Sequence, residues 1–95
     1  MKRDGSKRRK VRKQIFDASG LKAFAIQLKK VRGERGFTQA DLSHNAGVSI
    51  SQVARIETAK INPTLSTIFQ IARALDVPPS KLFDFKLPVG PKKKP

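Results

Sequence analysis

Residues 38–57, TQADLSHNAGVSISQVARIE, decide how this chain folds. Thr38 precedes Asp41 by three positions, a Thr-x-x-Asp version of the capping box in which each side chain takes the other residue's backbone N–H. This spacing starts a helix whose inward residues are Leu42 and Ala46, four apart and therefore on one face. Gly47 follows at once, at the position where a helix ends by turning left-handed, a conformation that costs glycine little. Ser49 and Gln52 repeat the capping-box spacing two residues later and open another helix, with Val53 and Ile56 on its inner face.

Two short capped helices around a glycine form a helix-turn-helix, a motif that many helical proteins contain. The joint spacing narrows the reading. Counted from Gln39, apolar residues fall at positions four, eight, ten, fifteen and eighteen: Leu42, Ala46, Val48, Val53 and Ile56. Position five, where the helices pack closest, is the small Ser43, and position nine is Gly47. The set specifies two helices that cross steeply and leave the outer face of the second exposed.

Upstream, Leu21, Phe24, Ala25, Leu28 and Val31 follow the period of a helix with one buried face. Lys22, Lys29, Lys30 and Arg32 occupy its other side, Gly33 and Gly36 mark its end, and Ile15 and Phe16 precede it as a short apolar latch. Downstream, Asn62-Pro63 breaks the chain, because a residue before proline is pushed out of the helical region. Thr64 then caps a fourth helix carrying Leu65, Ile68, Ile71, Ala72 and Leu75. Val77-Pro78-Pro79 ends that helix and begins a short fifth one with Leu82 and Phe83, before the last apolar residues Phe85 and Leu87. The expected fold class is all-α, five helices around one core without a strand.

The chain's 95 residues suffice for one small domain. It has no cysteine, which excludes disulfides, a thiolate zinc site and a cysteine nucleophile. A single histidine, His44, excludes a histidine-rich metal cluster. No apolar run is long enough for a membrane span or a signal peptide, so a soluble, cytosolic protein is expected. Charge is unevenly spread. Residues 1–14 hold eight Lys/Arg and one Asp, residues 15–85 nine basic and six acidic side chains, and residues 86–95 four lysines and no acid. Eleven of the fourteen net positive charges thus sit in two short ends that have too little apolar surface to offset ordering entropy. The domain reading is therefore a disordered basic tail over 1–14, a folded domain over 15–87 and a disordered Lys/Pro tail over 88–95. A run such as Lys7-Arg8-Arg9-Lys10-Val11-Arg12-Lys13 attracts polyanions without reading sequence, though it also serves solubility alone.

The ordered series Leu28-Lys29-Lys30-Val31-Arg32, Gly36-Phe37-Thr38-Gln39-Ala40-Asp41-Leu42, Ala46-Gly47-Val48-Ser49, Arg55-Ile56-Glu57, Asn62-Pro63-Thr64-Leu65, Ile71-Ala72-Arg73-Ala74-Leu75-Asp76-Val77 and Leu82-Phe83 resembles the Xre/Cro type of phage-repressor helix-turn-helix family. The resemblance covers about residues 21–85 and implies a compact five-helix, lambda-repressor-like DNA-binding domain. It also implies that the third helix lies in the major groove, with Ser49, Ile50, Ser51, Gln52 and Arg55 reading bases. Side-chain chemistry agrees: Arg grips guanine O6 and N7, Gln grips adenine, Ser donates or accepts, and Ile suits a thymine methyl. Gln39 resembles the family's phosphate-binding glutamine at a helix start, and Thr38, Lys29 and Lys60 are further phosphate candidates. Arg32 and Glu57 match a pair that forms a salt bridge in some members. Two positions depart from the pattern: Ala59 stands where the family often has glycine, and Ile50 is less polar than many first-turn residues.

The resulting expectation is a sequence-specific double-stranded DNA-binding transcription regulator, acting as a homodimer on a palindromic operator in a bacterial or phage cytoplasm. Phe83, Phe85 and Leu87 serve either a dimer contact or the monomer's own core. An antitoxin-type protein that neutralises a partner protein is the alternative, disfavoured because the ends offer mainly charge and proline to such a partner. No enzymatic activity, cofactor, metal or small-molecule ligand is expected, and His44 has no acidic or thiol cluster beside it in the sequence. Few phenylalanines are left over from core spacing to stack bases, which disfavours single-strand RNA binding.

Overall fold

Four helices start at an oxygen-bearing side chain that accepts a backbone N–H from the first turn. In the computed structural model, which describes residues 15–89, they are α1 (Ala18–Glu34), α2 (Gln39–Ala46), α3 (Ile50–Glu57) and α4 (Leu65–Leu75), followed by the single turn α5 (Pro79–Leu82). The described residues contain no strand, and none of their helices is long and apolar enough to cross a membrane. The two basic tails read from the sequence lie outside the described residues, save Pro88 and Val89, which are exposed.

The cap of α1 is Asp17, whose Oδ1 accepts the Gly20 N–H at 2.9 Å. The helix therefore begins three residues before Leu21, where the apolar period alone starts it. Gly20 is buried beneath its cap, and a Cβ there would meet Asp17 Oδ2 at 2.6 Å, so a side chain at this position would push the capping carboxylate aside. The helix also runs through Gly33 before stopping at Glu34. Thr38 and Asp41 form the full capping box: Thr38 Oγ1 accepts the Asp41 N–H at 3.0 Å, and Asp41 accepts the Thr38 N–H at 2.9 Å. The Thr38 N–H, then its hydroxyl, hold the Asp41 carboxyl below its ordinary value of 3.8. The support it gives α2 is complete above that value and is lost as pH falls through the lowered one. At Ser49 only half of the box forms among the described residues, the Gln52 N–H donating to Ser49 Oγ at 3.1 Å.

The inner faces meet in one core. Leu28, Val31, Leu42, Val53, Ile56, Ile71, Leu75 and Leu82 are its fully buried members. α1 packs on α3 and α5, α2 on α3 and α4, and α4 on α5. Gln27, buried on α1, donates from Nε2 to the Lys81 carbonyl at 2.8 Å and ties α5 down. Leu65 departs from the sequence reading and is 63% exposed. As the first residue of α4 its side chain leans back over the start of the helix, outside the layer filled by Ile68 and Ile71. Ile15 and Phe16 are exposed too, so they form no latch. Phe24 packs against Phe83 at 5.2 Å between ring centroids with the rings tilted by 42°, and meets Phe85 edge-on at 6.5 Å. Phe85 is partly buried against the core, whereas Phe83 and Leu87 keep exposed surface.

Candidate nucleic-acid interface

The turn between α2 and α3 is closed by three hydrogen bonds on one residue. Ser43 O accepts the Gly47 N–H at 3.0 Å and the Val48 N–H at 3.2 Å, and Ser43 Oγ donates to Val48 O at 2.6 Å. Gly47 sits at φ 70°, ψ 29°. Nothing lies within 4 Å of a Cβ built there, so backbone conformation and not space demands the glycine. The sequence marks Ser43 by its size alone; its hydroxyl bond exists only in the folded turn.

The turn fixes α3 with Val53, Ile56 and Glu57 inward. Ser49, Ile50, Ser51 and Arg55 are exposed on its other side, and Gln52 is half-buried. Ile50 keeps half its surface exposed at the start of the helix. The outer face thus carries one cation, hydroxyls, an amide and one apolar side chain along two turns. Thr38, Lys29 and Lys60 are exposed as well. His44 is exposed on α2, and the described residues contain no group of three His, Cys, Asp or Glu that could hold a metal ion.

Beneath this face α1, α2 and α3 meet at a carboxylate. Glu57, with its side chain 1% exposed, accepts Arg32 Nε on Oε2 at 2.6 Å and Arg32 Nη2 on Oε1 at 2.9 Å. Arg32 Nη1 continues to the Phe37 carbonyl at 2.9 Å. The hydrogen bond to Glu57 raises the already high Arg32 pKa, so the guanidinium stays charged. Gln39 Nε2 also donates to Glu57 Oε1, at 2.9 Å. Sequence reasoning pairs Arg32 with Glu57 but gives Gln39 no protein partner. No local pattern links residues eighteen apart on different helices.

After α3 the chain turns back through a Schellman motif, with Ala59 N–H on Ile56 O at 3.1 Å and Lys60 N–H on Arg55 O at 2.8 Å. Ala59 takes the position that favours glycine and sits at φ 59°. A left-handed residue bearing a Cβ costs about 1–2 kcal/mol, offset in part by the smaller unfolded-state entropy of alanine. Ala59→Gly is expected to raise stability by about 0.5–1 kcal/mol, read as a higher melting temperature; an unchanged or lower one would mean the turn carries no strain.

The sequence of this domain matches the family HTH_3, helix-turn-helix, over residues 28–82. The immunity repressor protein of Bacillus phage phi105 is 41% identical over 51 residues, which are 54% of this chain and 35% of that protein. The chain thus spans about a third of that relative's length. Among solved structures, the restriction-modification controller protein C.AhdI from Aeromonas hydrophila superposes with a TM-score of 0.65 at 33% identity, covering 66% of this chain and 96% of that one. C.Esp1396I bound to a 25 base pair operator site gives 0.62 at 28% identity, covering 67% of this chain and 84% of that one. With the family match extending over more than half of its length, the chain belongs to the HTH_3 helix-turn-helix family.

Proposed function

We propose that this chain is a transcription regulator that binds a palindromic operator as a two-fold homodimer, with α3 in the major groove. The observation that carries the reading is the division of labour on α3. Its inner side anchors the core, while Ser49, Ile50, Ser51 and Arg55 lie exposed together. Ser49, Ile50, Ser51, Gln52 and Arg55 read base edges, with the Ile50 side chain against a thymine methyl. Thr38, Gln39, Lys29 and Lys60 contact phosphates on either side. The operator-bound state of C.Esp1396I supports the same use of the fold here.

A second copy covers an open apolar groove of about 410 Å³ that Leu21, Leu65, Phe83 and Leu87 help to line. Such a dimer sets two reading helices about 34 Å apart, one turn of DNA. Selection of bound sites from a random duplex library tests this arrangement. Two inverted half-sites spaced by about one turn are the expected consensus; no enrichment overturns the DNA reading, and a single unrepeated site overturns the dimer.

Arg55→Ala is expected to cost about 1–3 kcal/mol on the selected site and to relax preference at one base pair per half-site. Equal weakening on every duplex would make Arg55 a phosphate contact. Residues 1–14 outside the described region add phosphate attraction, each neutralised phosphate contributing about 0.9 to the slope of log affinity against log salt. Their deletion flattens that slope and leaves the selected consensus unchanged. Parallel slopes for full-length and truncated protein would remove this role.

A further inference from the structure

We propose that Glu57 is a positioning residue for DNA binding, holding the Gln39 amide in the one orientation that presents a donor to the phosphate backbone. The inference rests on the DNA reading above and adds to it a residue that never touches DNA.

Gln39 is the first residue of α2 and half-buried. Its side-chain amide has two faces of opposite character, an acceptor oxygen and an NH₂ with two hydrogens. A phosphate needs the NH₂; the oxygen repels it. On an exposed helix start nothing local chooses between them. Glu57 chooses, because a carboxylate is an acceptor only. With Nε2 committed to Glu57 Oε1 at 2.9 Å, one N–H is used and the second remains on the same nitrogen. An amide turned the other way would bring two acceptor oxygens together, so that orientation is excluded.

The carboxylate must do this without repelling the phosphate through its own charge. Arg32 meets that need, since its two hydrogen bonds to Glu57 cancel the charge within the pair. Arg32 is itself fixed by the Phe37 carbonyl, one residue before the Thr38 cap of α2. The node therefore places the guanidinium, the carboxylate and the amide in series, with Glu57 innermost. Of the first two side chains, Glu57 is 1% and Arg32 18% exposed.

The test is a double-mutant cycle on a duplex recovered from the library selection, measured well below the melting temperature of every variant. Glu57→Gln and Gln39→Ala should each weaken binding about tenfold, the effect of losing one hydrogen bond to a charged group. Together they should cost no more than either alone, because both remove the same phosphate contact. A purely structural Glu57 would weaken binding equally in both backgrounds, and that result overturns the proposal.

Gln39→Asn provides a variant that leaves Arg32 and Glu57 intact. It keeps the amide but is one methylene too short to reach Glu57 from the same backbone position. It should bind as weakly as Gln39→Ala; binding at the parent level would overturn the proposal. In the free parent protein one Gln39 NH₂ proton should be shifted in the NMR spectrum from the free-amide position and slowed in exchange with water, and both effects should be lost in Glu57→Gln. Free-amide signals in the parent would also overturn it. A parent protein that binds no duplex removes the DNA reading and this inference together, whereas a parent that binds while the cycle is additive removes this inference alone.

Discussion

Arg32→Met should destabilise the domain by about 3 kcal/mol, near the low end of the roughly 3–5 typical when one partner is taken from a buried ion pair. The low end applies because Arg32 is 18% exposed and water can partly replace it. What remains is the costly element: a Glu57 carboxylate 1% exposed, with only Gln39 Nε2 left to bond it among its three donors. The Phe37 carbonyl loses its Arg32 bond as well. For a domain of this size 1 kcal/mol corresponds to roughly 4–8 °C, so the melting temperature should fall by more than about 10 °C. The paired variant Arg32→Met with Glu57→Met should recover much of the loss, since replacing both charges leaves no stranded carboxylate. A double variant as unstable as the single one would mean that the pair itself, and not the desolvated charge, holds the three helices together. Thermal unfolding of parent, single and double variants decides between these.

The features legible in the sequence are those written within one turn or one helix. Thr38 with Asp41, Gly47 and Thr64 lie within a few residues of what they cap or end, and the spacing of Leu28, Val31, Ile56 and Ile71 records a buried face directly. The Asp17 cap escapes such a reading because Ala18, Ser19 and Gly20 carry no apolar period to announce a helix. Leu65 misleads for the opposite reason. It has the right period, but the first position of a helix can point past the core, and periodicity does not say where the core ends.

The site divides along the same line. The outer face of α3 follows from its inner face by subtraction, so the spacing of Val53 and Ile56 is enough to name Ile50, Ser51 and Arg55 as outward residues. The Gln39–Glu57 bond and the Ser43 hydroxyl's partner depend on how separate segments meet. Residue types at those positions permit such bonds without requiring them.

Leu42→Ala tests the packing on which the reading face depends, and should cost about 2–5 kcal/mol. Leu42 is fully buried, and the only other buried side chain on α2 is Ala46. α2 meets both α3 and α4, so one leucine supplies most of the apolar grip of an eight-residue helix on two neighbours. Removing it gives up the transfer energy of the lost atoms and leaves a cavity that capped helices on both sides cannot readily collapse to fill. Total stabilities of about 5–15 kcal/mol leave little margin for such a loss in a small domain. Ile26→Ala is the control: a comparable truncation at a residue 62% exposed and outside the proposed dimer groove should stay within about 0.5 kcal/mol of the parent. Denaturant midpoints for the two variants should therefore separate widely. If Leu42→Ala unfolded with the parent, α2 would not be held through this side chain. The orientation of α3 would then have to come from the Ser43 hydrogen bonds and the Glu57 node alone.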